Sequence, residues 1–121
     1  LHGGVPAKAR RQALQRLFEV APDEPRLVLA TGRYIGEGFD DARLDTLFMA
    51  MPIAWKGTLI QYAGRLHRLH PGKREVQIYD YVDGSLAVFR RMFEKRMKGY
   101  RSMGYESEDP AAGGMLPLIA E

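Results

Sequence analysis

The chain contains no cysteine. Disulfides, thiol nucleophiles and cysteine-based zinc sites are therefore excluded, and a cytoplasmic location is expected. No apolar run approaches the roughly 18 to 20 residues that a membrane span requires, so no membrane partner is expected. The opening Leu1-His2-Gly3-Gly4 shows no signal-peptide pattern. Nowhere does Gly-x-x-x-x-Gly-Lys-Ser/Thr occur, so these residues lack the phosphate cradle of a P-loop ATPase. Asp23-Glu24 is no substitute for an acidic metal motif, because it lies between Pro22 and Pro25 rather than after an apolar strand. Histidine is scarce, and His2, His67 and His70 have no carboxylate spacing that suggests a metal site.

What is present fits one domain of ordinary size: 121 residues, 45% of them apolar. Lys and Arg number 18 against 15 Asp and Glu, a net charge of +3 that by itself does not argue for nucleic acid. The placement of the basic residues carries more information than their sum.

Periodicity predicts helix, strand, Gly-rich loop, strand, helix, strand, helix. The first helix spans Ala7 to Phe18, with Pro6 suited to its first turn. Arg26 to Ala30 reads as a short buried strand, and Leu44 to Met51 as a second, stopped by Pro52. A helix is expected from Thr58, as N-cap, to Leu69, closed by Pro71-Gly72. Val76 to Val82 reads as a third strand. Gly84-Ser85 opens a helix to about Met103, whose buried stripe is Leu86, Phe89, Phe93, Met97 and Tyr100. Arg90, Arg91, Lys95, Arg96, Lys98 and Arg101 are expected on its surface, as a solvated face or as a phosphate-contacting or domain-docking one. Residues 105–121 lose periodicity and are expected to be a flexible tail or linker after a domain at 1–104. Strands alternating with helices predict an α/β fold with a mainly parallel sheet.

Two stretches carry candidate chemistry. On the second helix, Gln61, Arg65 and Arg68 fall within an arc of roughly 60°, opposite Leu59, Tyr62, Ala63 and Leu66. Two guanidiniums and an amide on one face suit an anionic, multi-oxygen ligand, because each Arg presents a planar fork of donors. The same pattern also suits a surface helix with solvated arginines. Upstream, Thr31-Gly32-Arg33-Tyr34-Ile35-Gly36-Glu37-Gly38-Phe39-Asp40 follows a strand and holds three glycines within seven residues. Such a loop needs unusual dihedrals or close backbone approach, and it falls where open α/β sheets bind ligands. It also suits a structural turn in which Asp40 caps the next element.

Gln61-x-x-Gly64-Arg65-x-x-Arg68 resembles motif VI of superfamily-two helicases, which supplies arginine fingers to ATP. Thr31-Gly32 through Gly38-Phe39-Asp40 resembles their motif V, and Leu1-His2-Gly3 the stretch after their motif IV strand. The resemblance covers roughly residues 1 to 104 and is to the second RecA-like domain, closest to restriction-enzyme and DNA-repair types. It implies a three-layer fold, partial here, with the chain expected to be a piece of a larger ATP-dependent helicase. ATP and Mg2+ would be held mainly by a first RecA-like domain, the expected partner. Arg65 and Arg68 would be catalytic, with Gln61 positioning the site. Gly36, Gly38, Asp40 and Gly64 would lie at the nucleotide, and Thr31, Gly32 and Arg33 at nucleic acid, DNA rather than RNA by the wording of the motifs. The alternative implied is a non-catalytic RecA-like module that serves as a scaffold or nucleic-acid clamp.

Overall fold

The computed structural model describes residues 2–32, 40–53, 56–107 and 115–120. The chain divides into two compact units, Leu1–Asp40 and Asp41–Glu121.

The first unit holds helix α1 (Ala7–Glu19), close to the expected span. Pro6 occupies its N-cap with φ −53°, and the first helical bond runs from Arg10 N to the Pro6 carbonyl at 3.0 Å. Arg10, Leu14 and Leu17 are half-buried at helical spacing, but no residue of α1 is fully buried. After the helix, Arg26 Nη2 donates to the carbonyls of Ala21 at 2.7 Å and Glu24 at 3.1 Å, fixing the turn. The expected strand from Arg26 to Ala30 is not formed. Its exposure alternates as in an extended chain, with Leu27 and Leu29 exposed at 76% and 77%. An extended run becomes a strand only through a ladder, and this one pairs with none of the described strands.

The second unit is α/β. Its elements are β1 (Thr46–Met49), α2 (Lys56–Leu66), β2 (Val76–Tyr81), α3 (Ala87–Ser102), β3 (Glu106–Ser107) and β4 (Met115–Ala120). The sheet order is β1-β2-β4-β3. β1 and β2 are parallel, with Thr46 opposite Gln77 and Met49 opposite Asp80, and α2 makes the connection between them. The other two pairings are antiparallel, so the sheet is mixed rather than mainly parallel. Two segments inside the expected flexible tail are strands. The apolar run 115–120 takes the side of β2 that β1 leaves open, with Val76 opposite Ala120, and so satisfies backbone groups that would otherwise lack partners.

β2 shows a period of two: Val76, Ile78 and Asp80 are buried, and Gln77, Tyr79 and Tyr81 lie on the other face. On that other face Phe48 stacks on Tyr79 directly across the parallel pair, centroids 4.9 Å apart and rings 12° from parallel. Against the buried face pack Leu59, Ala63 and Leu66 of α2, at i, i+4 and i+7, with Met97 and Tyr100 of α3 and Met49 and Tyr105. α2 and α3 approach closely at Gly99, where a Cβ would stand 2.9 Å from Leu59 Cδ2. Of the stripe expected on α3, Met97 and Tyr100 are buried, Phe89 and Phe93 half-buried and Leu86 exposed. α3 closes on Gly104, whose φ of +89° suits only glycine, and Tyr105 N then bonds back to the Tyr100 carbonyl at 3.1 Å. That turn delivers Tyr105 into the core.

Arg96 departs from expectation. It sits three residues after Phe93 and four before Tyr100, in the apolar stripe itself, and is 2% exposed. Its Nε donates to Asp80 Oδ2 at 2.7 Å, Nη2 to Asp80 Oδ1 at 2.8 Å and Nη1 to the Ile53 carbonyl at 2.8 Å. Tyr100 Oη donates to Asp80 Oδ2 at 2.6 Å. Burial without such pairing would leave costly bare charges.

Candidate functional site

The candidate site is the outward side of α2 and the segment after it. Burying Leu59, Ala63 and Leu66 turns the opposite side of the helix outward, where Gln61 and Gly64 are exposed and Arg65 is half-buried. Beyond its own helix backbone and chain neighbours, no described residue comes within 4 Å of where a Gly64 Cβ would stand. The helix differs from expectation at both ends. It begins at Lys56, so Thr58 lies inside the first turn rather than at the N-cap. It ends at Leu66, so Arg68 belongs to the exposed segment that follows and not to the helical arc.

Lys73 explains that early end. Its Nζ donates to the carbonyls of Leu66, Arg68 (2.9 Å) and Ala42 (3.2 Å). An ammonium at a helix C-terminus satisfies orphan carbonyls and opposes the negative end of the dipole. Burial pulls the Lys73 pKa below its ordinary value, while Asp45 and Asp41 act in the opposite direction. His67 N bonds to the Gly64 carbonyl at 3.3 Å, tightening the last turn. Pro71-Gly72 forms the turn that returns the chain, Gly72 with φ +85°.

His67 Nε2 lies 2.8 Å from Tyr105 Oη, with the rings edge to face at 5.4 Å. Burial pushes the Tyr105 hydroxyl up to about 12. Burial first, and the Lys73 charge second, lower the His67 pKa. At neutral pH both groups are therefore uncharged, and the imidazole tautomer sets which of the two donates. His67 is thus engaged with Tyr105, and among the described residues no group of three His, Asp or Glu is placed to hold a metal ion.

Where the second unit begins, Asp41 is 4% exposed and takes Arg43 at two points, Nε to Oδ1 and Nη2 to Oδ2, each at 2.8 Å. The backbone N of Arg43 adds a third bond to Asp41 Oδ1 at 3.1 Å. Lys73 reaches the neighbouring Ala42 carbonyl, so the end of α2 is tied to this turn.

Of the residues singled out in the sequence, Gln61, Gly64, Arg65 and Arg68 fall together in the second unit, on or just after α2. Thr31, Gly32 and Asp40 belong to the first unit, with Thr31 exposed and the other two half-buried. Arg33, Gly36 and Gly38 lie outside the described residues. Lys73, Tyr105, Asp80 and Arg96 were not singled out as positioning groups. Asp80 and Arg96 had readable signals: a carboxylate at a buried phase of a strand, and a guanidinium in the phase of a helix's apolar stripe. Lys73 and Tyr105 had none, because both act through tertiary contacts.

At the carboxyl ends of β1 and β2 a cavity of about 360 Å³ opens between Ala50, Pro52, Tyr81 and Phe89. Arg96 also lines it, with its guanidinium engaged by Asp80 and the Ile53 carbonyl.

Over 85 residues the chain is 36% identical to the uncharacterized protein 108L of Invertebrate iridescent virus 3, covering 69% of this chain and 75% of the viral protein. The chain belongs to the 108L family. No protein-family profile and no solved structure matches this chain. Among its described residues no helix is long and apolar enough to cross a membrane.

Proposed function

We propose that this chain is the second RecA-like motor domain of an ATP-dependent helicase or translocase acting on DNA. In this reading a three-layer fold closes over ATP and Mg2+ held by a first RecA-like domain. Arg65 and Arg68 then face the β- and γ-phosphates, with Arg68 nearest the transferred group and Gln61 positioning the site beside Gly64. Charge spreads over the phosphoryl oxygens in the transition state, and one well-placed guanidinium contributes about 10³ to 10⁵ in rate. Gly36, Gly38 and Asp40 serve the nucleotide side, and Thr31, Gly32 and Arg33 the nucleic-acid backbone. Opening and closing of the two domains moves the Gly-rich loop along the strand.

One observation carries the reading: α2 keeps Gln61, Gly64 and Arg65 on the side opposite its buried Leu59, Ala63 and Leu66. The parallel β1–α2–β2 unit is the kind of support that α/β nucleotide enzymes use. The test uses the full-length gene product. Arg68→Ala abolishes nucleic-acid-stimulated ATP turnover while largely sparing ATP binding. Unchanged turnover rejects the arginine-finger assignment.

A further inference from the structure

The last long helix has a second face that the ATP reading does not use. Between Arg91 and Ser102 the exposed positions of α3 are Arg91, Glu94, Lys95, Lys98, Arg101 and Ser102. Four of the six are cationic, spaced i, i+4, i+7 and i+10, and they fall within roughly 120° of the helix circumference. None of these four makes an ion pair with a described residue. Glu94, the one acid on this face, makes none either.

The face is held in place from behind. Arg96 and Tyr100 are tied to Asp80 of β2, and Gly99 is set against Leu59 of α2. Rotation of α3 about its axis would break a buried ion pair and a close helix contact, so the outward cations form a fixed ridge. Arg96 is excluded from it.

We propose that this ridge of α3 is a docking surface for the sugar–phosphate backbone of duplex nucleic acid. Four like charges with a single acid, Glu94, among them repel one another until an anion lies between them, and a polyanion relieves several at once. From Arg91 to Arg101 the ridge runs roughly 15 Å at 1.5 Å per residue. Along that length one strand of a duplex carries roughly four phosphates. From Arg91 to Arg101 the face holds no apolar side chain, so this stretch lacks the anchors by which an interfacial helix enters a bilayer; the exposed Leu86 and Val88 lie before it. It holds no aromatic ring, so it cannot stack unpaired bases, and the contact is independent of sequence. The surface is built from α3, whereas Arg65 belongs to α2 and Arg68 to the segment after it, and it holds whether or not the chain turns over ATP.

The test measures fluorescence anisotropy of a labelled mixed-sequence duplex with the 121-residue chain over a salt series. Replacing Arg91→Gln, Lys95→Gln and Lys98→Gln together lowers affinity about tenfold or more. It also reduces the slope of log affinity against log salt by about 2 to 3, since each phosphate contact contributes about 0.9. Arg91→Lys, Lys95→Arg and Lys98→Arg together keep both values, and Glu94→Gln tightens binding. A charge-matched control neutralises Lys8, Arg11 and Arg16 of α1, and an equal loss there would reduce the effect to net charge and overturn the assignment. So would an unchanged salt slope in the triple Gln variant. Loss of binding to phosphatidylserine vesicles with duplex affinity intact would assign the ridge to a membrane surface and overturn it as well. ATP turnover enters none of these measurements, so failure here and failure of the arginine-finger reading are told apart.

Discussion

Arg96 and Asp80 meet at two points inside the second unit, their side chains 1% and 0% exposed. The pair joins α3 to β2, and the Arg96 bond to the Ile53 carbonyl extends it to the segment after β1. Removing one partner strands a buried charge. Asp80→Ala should lower the unfolding free energy by about 3 to 5 kcal/mol, read from urea denaturation. Tyr100→Phe, which removes one hydrogen bond to that carboxylate, should lower it by about 2 kcal/mol. Equal stabilities for Asp80→Ala and the parent chain would mean the pair does not form.

Gly99 gives a second, independent handle on the same helix. A β-branched side chain there must displace Leu59, which is fully buried. Gly99→Val should destabilise by about 1 to 3 kcal/mol through overpacking. Adding Leu59→Ala should return part of that loss, giving a non-additive double-mutant cycle. Strict additivity would place the two residues out of contact.

Alkaline pH should unfold the second unit through its tyrosines. Tyr105 is pushed up to about 12 from an ordinary 10, and Tyr100 is raised as well, both chiefly by burial. A hydroxyl whose folded pKa is raised contributes stability fully below the unfolded value and loses it as pH climbs through the folded one. The urea midpoint should therefore fall between pH 10 and 12, and fall less steeply in Tyr105→Phe. A flat midpoint across that window would contradict the burial of these rings.

Acid should act on the end of α2. The His67 pKa is lowered from 6.5 by burial first and by Lys73 second. The unfolded chain therefore takes up this proton more readily, and stability is lost as pH falls from 6.5 toward the folded value. Lys73→Met should move the His67 titration, followed by its ring NMR signals, upward but still short of 6.5, because burial remains. It should also speed amide exchange in the last turn of α2, whose carbonyls lose their ammonium donor. No movement of the His67 titration would show that Lys73 does not stand beside it.

Much of this architecture was legible from local pattern. α1 forms where the periodicity of Ala7 to Phe18 puts it, extended by Glu19, and β2 forms over Val76 to Tyr81, within the β-branched and aromatic run Val76 to Val82. α2 buries Leu59, Ala63 and Leu66 on one side, as their spacing requires. Helix ends were less legible. Nothing near Leu66 in sequence announces that a lysine seven residues on will take its carbonyl and leave Arg68 beyond the helix. Strand pairing was least legible. The Arg26 to Ala30 run has strand composition yet joins none of the described strands, whereas residues 115–120, with Pro117 among them, pair with β2.

The sequence by itself determined which side of α2 is apolar, where the turn at Gly72 falls, and that disulfides are absent, because side-chain transfer and backbone sterics act over a few residues. Only the tertiary structure decided that Arg96 is a core residue rather than a surface one, that Tyr105 receives His67, and that the sheet is mixed. Those outcomes depend on which partner a buried charge, ring or backbone edge finds across the fold, and that choice is made by groups 11 to 44 residues apart.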